Sequence, residues 1–396
     1  MAETSYIFPP SQTEYIRALG KGLIRTCPLS RRYPAAVSLR ERMPPIYNQA
    51  VRGTCVAAAA TALLEYYEDC RMRLSIQYLN EVTRELDRAW VERNLSSLAV
   101  DGTADAEFSA VFRRQTDQIR SVVSSNGPGS PAVKSFVKAF EDSLAANGSL
   151  KSGSQIRRCF EAIEKRGICR YSIWPYANMQ VTQMFGGPST AAGYPPGAHE
   201  DALKHRVLSG LYLLRAPNNV DEMRGILAGA NGRRPMPVCA GLSVFEGCDI
   251  DGRFEFPPVK ELDGRLVTEK AFKGGHEVLL VGYQDDPSEK GGGRFMLRNS
   301  WGEEWGDGGY GTVSYAYVEC FCNEAGTILQ DVVDYVGDGY NGLNTVPELD
   351  AQGMRVSRRS RSFGRRWIAA IAVASAAVAA ALTWIAMRFF QGGVSE

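Results

Sequence analysis

The sequence predicts an α+β fold of two subdomains with a cleft between them, followed by one C-terminal transmembrane helix. Three observations predict it. Segments of helical composition fill the first half of the body, short β-rich segments between Gly-rich turns fill the second, and a charge-free apolar run lies near the C-terminus.

The 396 residues are 44% hydrophobic and 22% charged, a globular composition rather than that of a coiled coil, a fibre or a disordered tail. The net charge of +1 is the sum of two unlike parts. Residues 1–353 carry 38 Lys and Arg against 43 Asp and Glu, a net of −5, whereas residues 354–396 hold seven Arg, no Lys and one Glu. Such a body offers no general electrostatic case for nucleic acid as a partner. Nine cysteines cannot all pair, so at least one thiol is free.

In chain order, residues 1–32 read as a polar N-terminal extension; they open without a basic or apolar leader pattern, so no signal peptide is expected. Tyr47 to Gly53 reads as a loop, with Thr54 as N-cap of a helix running from Cys55 to about Cys70. Its Val56–Leu64 stretch has small residues all round, as a core helix does. A second helix is expected at Ser75–Ala89. Residues 88–148 read as an insertion packed on the main fold, with Val133, Phe136, Val137, Phe140 and Leu144 at helical spacing. A helix at Ser154–Lys165 is ended by Gly167, and a Gly/Pro-rich loop runs on through Pro196. Strands are expected at Val238–Val244, Glu277–Tyr283, Arg294–Arg298 and Tyr310–Ser314. His199 and His205 read as surface residues, and Cys320 and Cys322 as buried structural thiols.

The remaining C-terminal residues divide into a basic linker (341–366), the transmembrane helix (367–387) and a short tail (388–396). Trp367 to Met387 is 21 residues without a charge, ten of them Ala. As a helix it spans roughly 31 Å, close to the hydrocarbon thickness of a bilayer. Trp367 and Trp384 mark its interfaces, and six Arg between Arg355 and Arg366 precede it while Arg388 follows. The positive-inside rule then places the body on the cytosolic side of a tail anchor, with the Arg cluster against anionic lipid.

Four positions carry chemistry. Cys55 sits at the first turn of the small-residue helix, where unsatisfied N–H groups and the helix dipole favour a thiolate. Gln49, six residues earlier, can set its amide N–H beside the Cys55 backbone N–H to receive an oxyanion. His276 follows Gly274 and Gly275 and opens a strand, a placement suited to a general acid/base. Asn299 can accept from the far ring N–H and fix the imidazole's orientation.

Gln49-Ala-Val-Arg-Gly-Thr-Cys55, Gly274-Gly-His-Glu-Val-Leu-Leu-Val-Gly-Tyr283 and Asn299-Ser-Trp-Gly-Glu-Glu-Trp-Gly-Asp-Gly-Gly-Tyr-Gly311 together resemble the papain-like cysteine peptidases, of the bacterial and archaeal type. The resemblance covers about residues 33–322 of a domain placed at 33–340. It implies a papain-like fold, with a helical subdomain and a β-barrel-like subdomain flanking an active-site cleft. It also implies Cys55 as nucleophile, His276 as acid/base, Asn299 as orienting group, Gln49 in the oxyanion hole and Trp301 shielding the Asn–His bond. Substrate-binding positions by the same resemblance are Gly153, Ser154, Gly275, Glu277 and Trp301; Glu277 either faces a specificity pocket for a basic side chain or is solvated or salt-bridged. No metal or organic cofactor is implied. The substrate would be a peptide or protein, cleaved by a thiolate–imidazolium pair through an acyl-thioester, with a bell-shaped pH profile.

The departures are specific. Arg52 stands where the family has a cysteine, and Val56 where it has an aromatic residue; the spacing from Cys55 to His276 is longer than usual because of the insertion. Two other functions share these residues: a papain-fold module that binds peptide without cleaving it, and an acyl transferase that passes the thioester to an amine.

Overall fold

Small side chains let the helix that begins at Cys55 run through the interior. In the computed structural model α1 (Cys55–Tyr67) is buried along nearly its whole length, its alanines packed among strand residues such as Ala240, Leu279 and Phe295. The described residues are 29–146, 154–176, 193–208 and 210–329, with short pieces at 5–7, 12, 16–17, 19, 348–349 and 355–356. The chain divides into two compact units, residues 1–340 and 341–396. In the second unit Glu348–Leu349 pairs antiparallel with Arg355–Val356. No described helix is long and apolar enough to cross a membrane; the run expected to do so, 367–387, lies outside the described residues.

Helix α2 (Ile76–Asp101) starts at Ser75, whose hydroxyl accepts from the Tyr78 N–H at 3.0 Å, and ends where Gly102 turns left-handed at φ 77°. It therefore runs past the expected end at Ala89. Nothing between Ala89 and Asp101 breaks it, since no Gly or Pro intervenes. Its second half joins α3 (Ala106–Val111), α4 (Arg113–Asn126) and α5 (Pro131–Ala146) in a small bundle. There Trp90, Leu98, Phe108, Ile119, Val133 and Phe140 form a core separate from that of the main body. The expected insertion is thus rooted in an extension of a main-fold helix.

Helix α6 (Ile156–Arg166) ends at Gly167, with φ 73° and ψ −160°, a conformation open essentially to glycine alone. A Cβ there would also lie 1.8 Å from the Ala202 carbonyl oxygen on α7 (Ala198–Leu203). Gly167→Ala is expected to cost about 2–4 kcal/mol of stability, read from urea melts, because strain and overlap act together.

One sheet occupies the second half, in the order β3 (Leu211–Leu213), β11 (Cys322–Ile328), β4 (Val238–Phe245), β8 (Arg265–Asp285), β9 (Gly293–Arg298), β10 (Tyr310–Ser314), β6 (Arg253–Phe254), β5 (Asp249–Ile250). Strands β1 (Ser5–Ile7), β2 (Ala36–Ser38) and β7 (Val259–Leu262) also pair with β8. The β10–β6 pair is parallel, the other neighbours antiparallel. Helices α8 (Val220–Leu227) and α9 (Tyr315–Phe321) pack on the sheet. The fold is α+β. Strand β8 begins twelve residues before the expected Glu277, because Gly274 and Gly275 continue the ladder opposite Val244 and Ser243 instead of turning. His205 is buried beside Asp201, its Nε2 3.9 Å from the carboxylate, rather than at the surface.

Candidate active site

The loop before α1 is zipped to the segment after β9. The Gln49 N–H donates to the Ser300 carbonyl at 2.8 Å, the Gly302 N–H to the Tyr47 carbonyl at 2.9 Å, and the Ser300 hydroxyl to Gln49 Oε1 at 2.5 Å. Two stretches some 250 residues apart are so held in one register, which sets the Cys55 loop beside Asn299. Within the loop Ala50 is left-handed at φ 49°, supported by its N–H donating to Asn48 Oδ1 at 2.8 Å. Thr54 does not cap α1 with its side chain; its Oγ1 instead meets the Tyr176 hydroxyl at 2.8 Å.

Cys55 is the first residue of α1 and 8% exposed. Burial pushes its thiol above the ordinary value, while a hydrogen bond from the Glu277 backbone and others from the start of the helix act the opposite way. Desolvation therefore outweighs the thiolate-favouring helix terminus expected from sequence. The Glu277 amide brings the thiol to the strand residue that directly follows His276.

His276 lies on β8 opposite Leu242 of β4 and is 7% exposed. Its Nε2 is 2.8 Å from Asn299 Oδ1, and its ring stacks on Trp301 with centroids 4.5 Å apart and planes 25° from parallel. Burial drives the imidazole down to about 4, partly opposed by the Asn299 hydrogen bond. Asn299 is 1% exposed; its Oδ1 also accepts the Ser300 N–H at 2.8 Å, and its own N–H donates to the Gly309 carbonyl at 2.9 Å. Rigid anchoring on both sides gives the imidazole one orientation, with Nδ1 as its other proton-exchanging atom.

Gln49 is placed with less freedom than a solvent-facing amide. Its Nε2 donates to the Arg52 carbonyl at 2.6 Å, which uses one of two amide hydrogens and leaves the other for an incoming oxyanion.

The expected substrate-binding positions fare unequally. Gly275 is exposed and open around its Cα, and Trp301 is half-buried over His276. The Ser154 hydroxyl donates to Asp87 Oδ2 at 2.6 Å, and Gly153 lies outside the described residues. Glu277 corrects the solvated or salt-bridged reading: at 2% exposure it is hydrogen-bonded to the Glu324 carboxyl. Burial pushes both carboxyls upward, Glu324 to about 7, and the neighbouring Glu324 raises Glu277 further. Gly241 makes room for them, since a Cβ there would lie 2.6 Å from Glu324 Cγ and 2.9 Å from Glu277 Oε2.

Because the folded pKa of Glu324 lies above its unfolded value of 4.5, its stabilising contribution is complete below pH 4.5 and lost as the pH rises through about 7. Glu324→Gln keeps an acceptor for the Ile156 N–H, 3.0 Å away, without the charge. Chemical denaturation is expected to show the variant stabilised by about 2–3 kcal/mol at pH 8 and little changed at pH 4.5. Destabilisation at pH 8 would contradict the buried charge cost.

Sequence reasoning missed Ser300, Tyr176, Arg52 and Glu324 as parts of the site. Ser300 stood inside the Asn-Ser-Trp-Gly motif and Arg52 inside the Gln49–Cys55 motif; Tyr176 and Glu324 had no local signal, since their partners are distant in sequence.

The family model described as papain family cysteine protease matches residues 263–328. An uncharacterized peptidase C1-like protein of Acanthamoeba polyphaga mimivirus is 25% identical over 203 residues, 50% of this chain and 58% of that protein. A probable cysteine protease of Arabidopsis thaliana is 54% identical over 37 residues, 9% of each chain. The chain thus spans less than two thirds of the length of either relative. Among solved structures, xylellain, a cysteine protease from Xylella fastidiosa, aligns over 83% of this chain and 97% of its own at 19% identity, with a TM-score of 0.49. The sequence matches support a papain-family cysteine peptidase domain.

Proposed function

We propose that this chain is a cysteine peptidase of the papain family and hydrolyses peptide bonds through an acyl-thioester on Cys55. The carrying observation is the His276 Nε2–Asn299 Oδ1 bond of 2.8 Å beneath Trp301, on the strand whose next amide reaches the Cys55 thiol. Burial disfavours a lone thiolate and a lone imidazolium alike, so the proton passes from Sγ to His276 Nδ1 as sulfur attacks the carbonyl carbon. The carbonyl oxygen gains the negative charge and takes the free Gln49 amide N–H and the Cys55 backbone N–H. Collapse breaks the C–N bond, and His276 returns the proton to the departing amine. Water, deprotonated by His276, then hydrolyses the thioester.

By its motif contexts the domain belongs with the bacterial and archaeal type, and residues 367–387 tether it to a membrane with the body in the cytosol. The charge-free run, its two Trp and the preceding Arg cluster support the tether. Digestion of a peptide library by the full chain in detergent tests the function. Internal cleavage that vanishes with His276→Ala is expected; intact peptides alongside retained binding would make the domain a peptide-binding module. Transfer of the acyl group to added amine in preference to water would make it a transferase. Alkaline extraction of membranes tests the tether.

A further inference from the structure

Three residues before Cys55, the Arg52 side chain is only 10% exposed. Its guanidinium hydrogen-bonds Gln77 Oε1 and lies 3.5 Å from Glu81 Oε1, both on α2. These partners are themselves fixed: Gln77 Nε2 donates to Glu81 Oε1 at 3.1 Å and Asn80 Nδ2 to the same oxygen at 3.3 Å. The guanidinium carbon also stands 5.0 Å over the Tyr176 ring, whose hydroxyl donates to the Gln49 carbonyl at 3.0 Å and meets Thr54 Oγ1 at 2.8 Å. At the backbone, the Arg52 carbonyl accepts both the Gln49 side-chain amide at 2.6 Å and the Thr54 N–H at 2.9 Å, while the Arg52 N–H donates to the Gln49 carbonyl at 3.2 Å.

We propose that Arg52 is the positioning residue of the oxyanion hole: its guanidinium fastens the loop to α2, and its carbonyl aims the Gln49 amide. This rests on the hydrolase reading of the same site. The loop needs such a fastening because Ala50 is held left-handed, a conformation that a freed loop would leave. Lysine is only a partial substitute, since a single ammonium cannot reach Gln77 and Glu81 with a planar fork while stacking on Tyr176. The Glu81 carboxylate compensates the guanidinium's charge, so Arg52 acts through placement rather than through its field at Cys55.

The test compares the full-length protein with Arg52→Met, Arg52→Lys and Glu81→Gln for peptide hydrolysis, thermal stability and hydrogen exchange at residues 53–56. Misplacement of an oxyanion donor predicts a kcat loss of about 30- to 100-fold in Arg52→Met, with KM within about threefold and the acid limb of the pH profile unmoved. Arg52→Lys is expected to recover to within about tenfold of the parent, and Glu81→Gln, which keeps the Gln77 contact, to lose about tenfold. If Arg52→Met does not fold, Glu81→Gln alone decides, its unchanged kcat overturning the proposal. A kcat for Arg52→Met within threefold of the parent, or a loss confined to KM, overturns it as well. Should the parent cleave no peptide, the hydrolase reading falls by itself, and the clamp is judged by exchange. About tenfold faster exchange at the Cys55 amide in Arg52→Met supports it; unchanged exchange overturns it.

Discussion

Cys55→Ala is expected to remove peptide hydrolysis to at least about four orders of magnitude below the parent, because in the proposed mechanism Cys55 carries the acyl intermediate. The described cysteines include seven further free thiols, of which six are buried and only Cys70 is exposed. None could replace Cys55. Burial pushes the Cys159, Cys239, Cys320 and Cys322 thiols well upward, and Cys70 lies beyond the C-terminal end of α1, whereas Cys55 begins it. The variant should fold, since the change removes one sulfur atom from the start of a helix already rich in alanine. Residual cleavage within a hundredfold of the parent in a freshly purified variant would move the nucleophile elsewhere.

The second large effect concerns Asn299. Its hydrogen bond raises the His276 pKa against the lowering by burial, which nonetheless brings the ring to about 4. In the proposed mechanism Cys55 and His276 share one proton in the active form, so kcat/KM should be bell-shaped. The acid limb is expected near pH 4, where the pair gains a second proton, and the alkaline limb above the ordinary thiol value of 9.0, because burial raises Cys55. Asn299→Ala removes the group that holds the imidazole and favours its charged form. A fall in kcat of about 10²-fold is expected, with the acid limb moving to still lower pH. An acid limb at or above the ordinary imidazole value of 6.5 would show that burial does not govern this histidine.

Much of the fold could be read from residue patterns whose cause is local. The alanine run after Cys55 allows close approach on every side, and α1 is buried as that composition requires. Gly167 ends its helix through a backbone conformation closed to other residues. Contacts across long sequence separations were not legible in the same way. A polar-looking stretch after Ala89 conceals Trp90, Val91, Leu95 and Leu98, whose buried face has meaning only once α3 to α5 fold against it. Two glycines before His276 carry a turn signal locally, yet the ladder with β4 extends through them.

At the site the same division holds. His276 and Asn299 were named from their motifs, and the two side chains meet at 2.8 Å. The environment of Glu277 depended on Glu324, 47 residues away on another strand, and that carboxyl pairing has no counterpart in the local pattern. Arg52 looked like the loss of a cysteine, whereas its guanidinium reaches across to Gln77 and Glu81.

Acid quenching during turnover of a slowly hydrolysed peptide ester, followed by peptide mapping in a mass spectrometer, tests the central claim most directly. The acyl mass is expected on the peptide that contains Cys55, at a level that falls in His276→Ala and is absent from Cys55→Ala. Acylation of a different residue, or turnover with Cys55 unmodified at every time point, would contradict it.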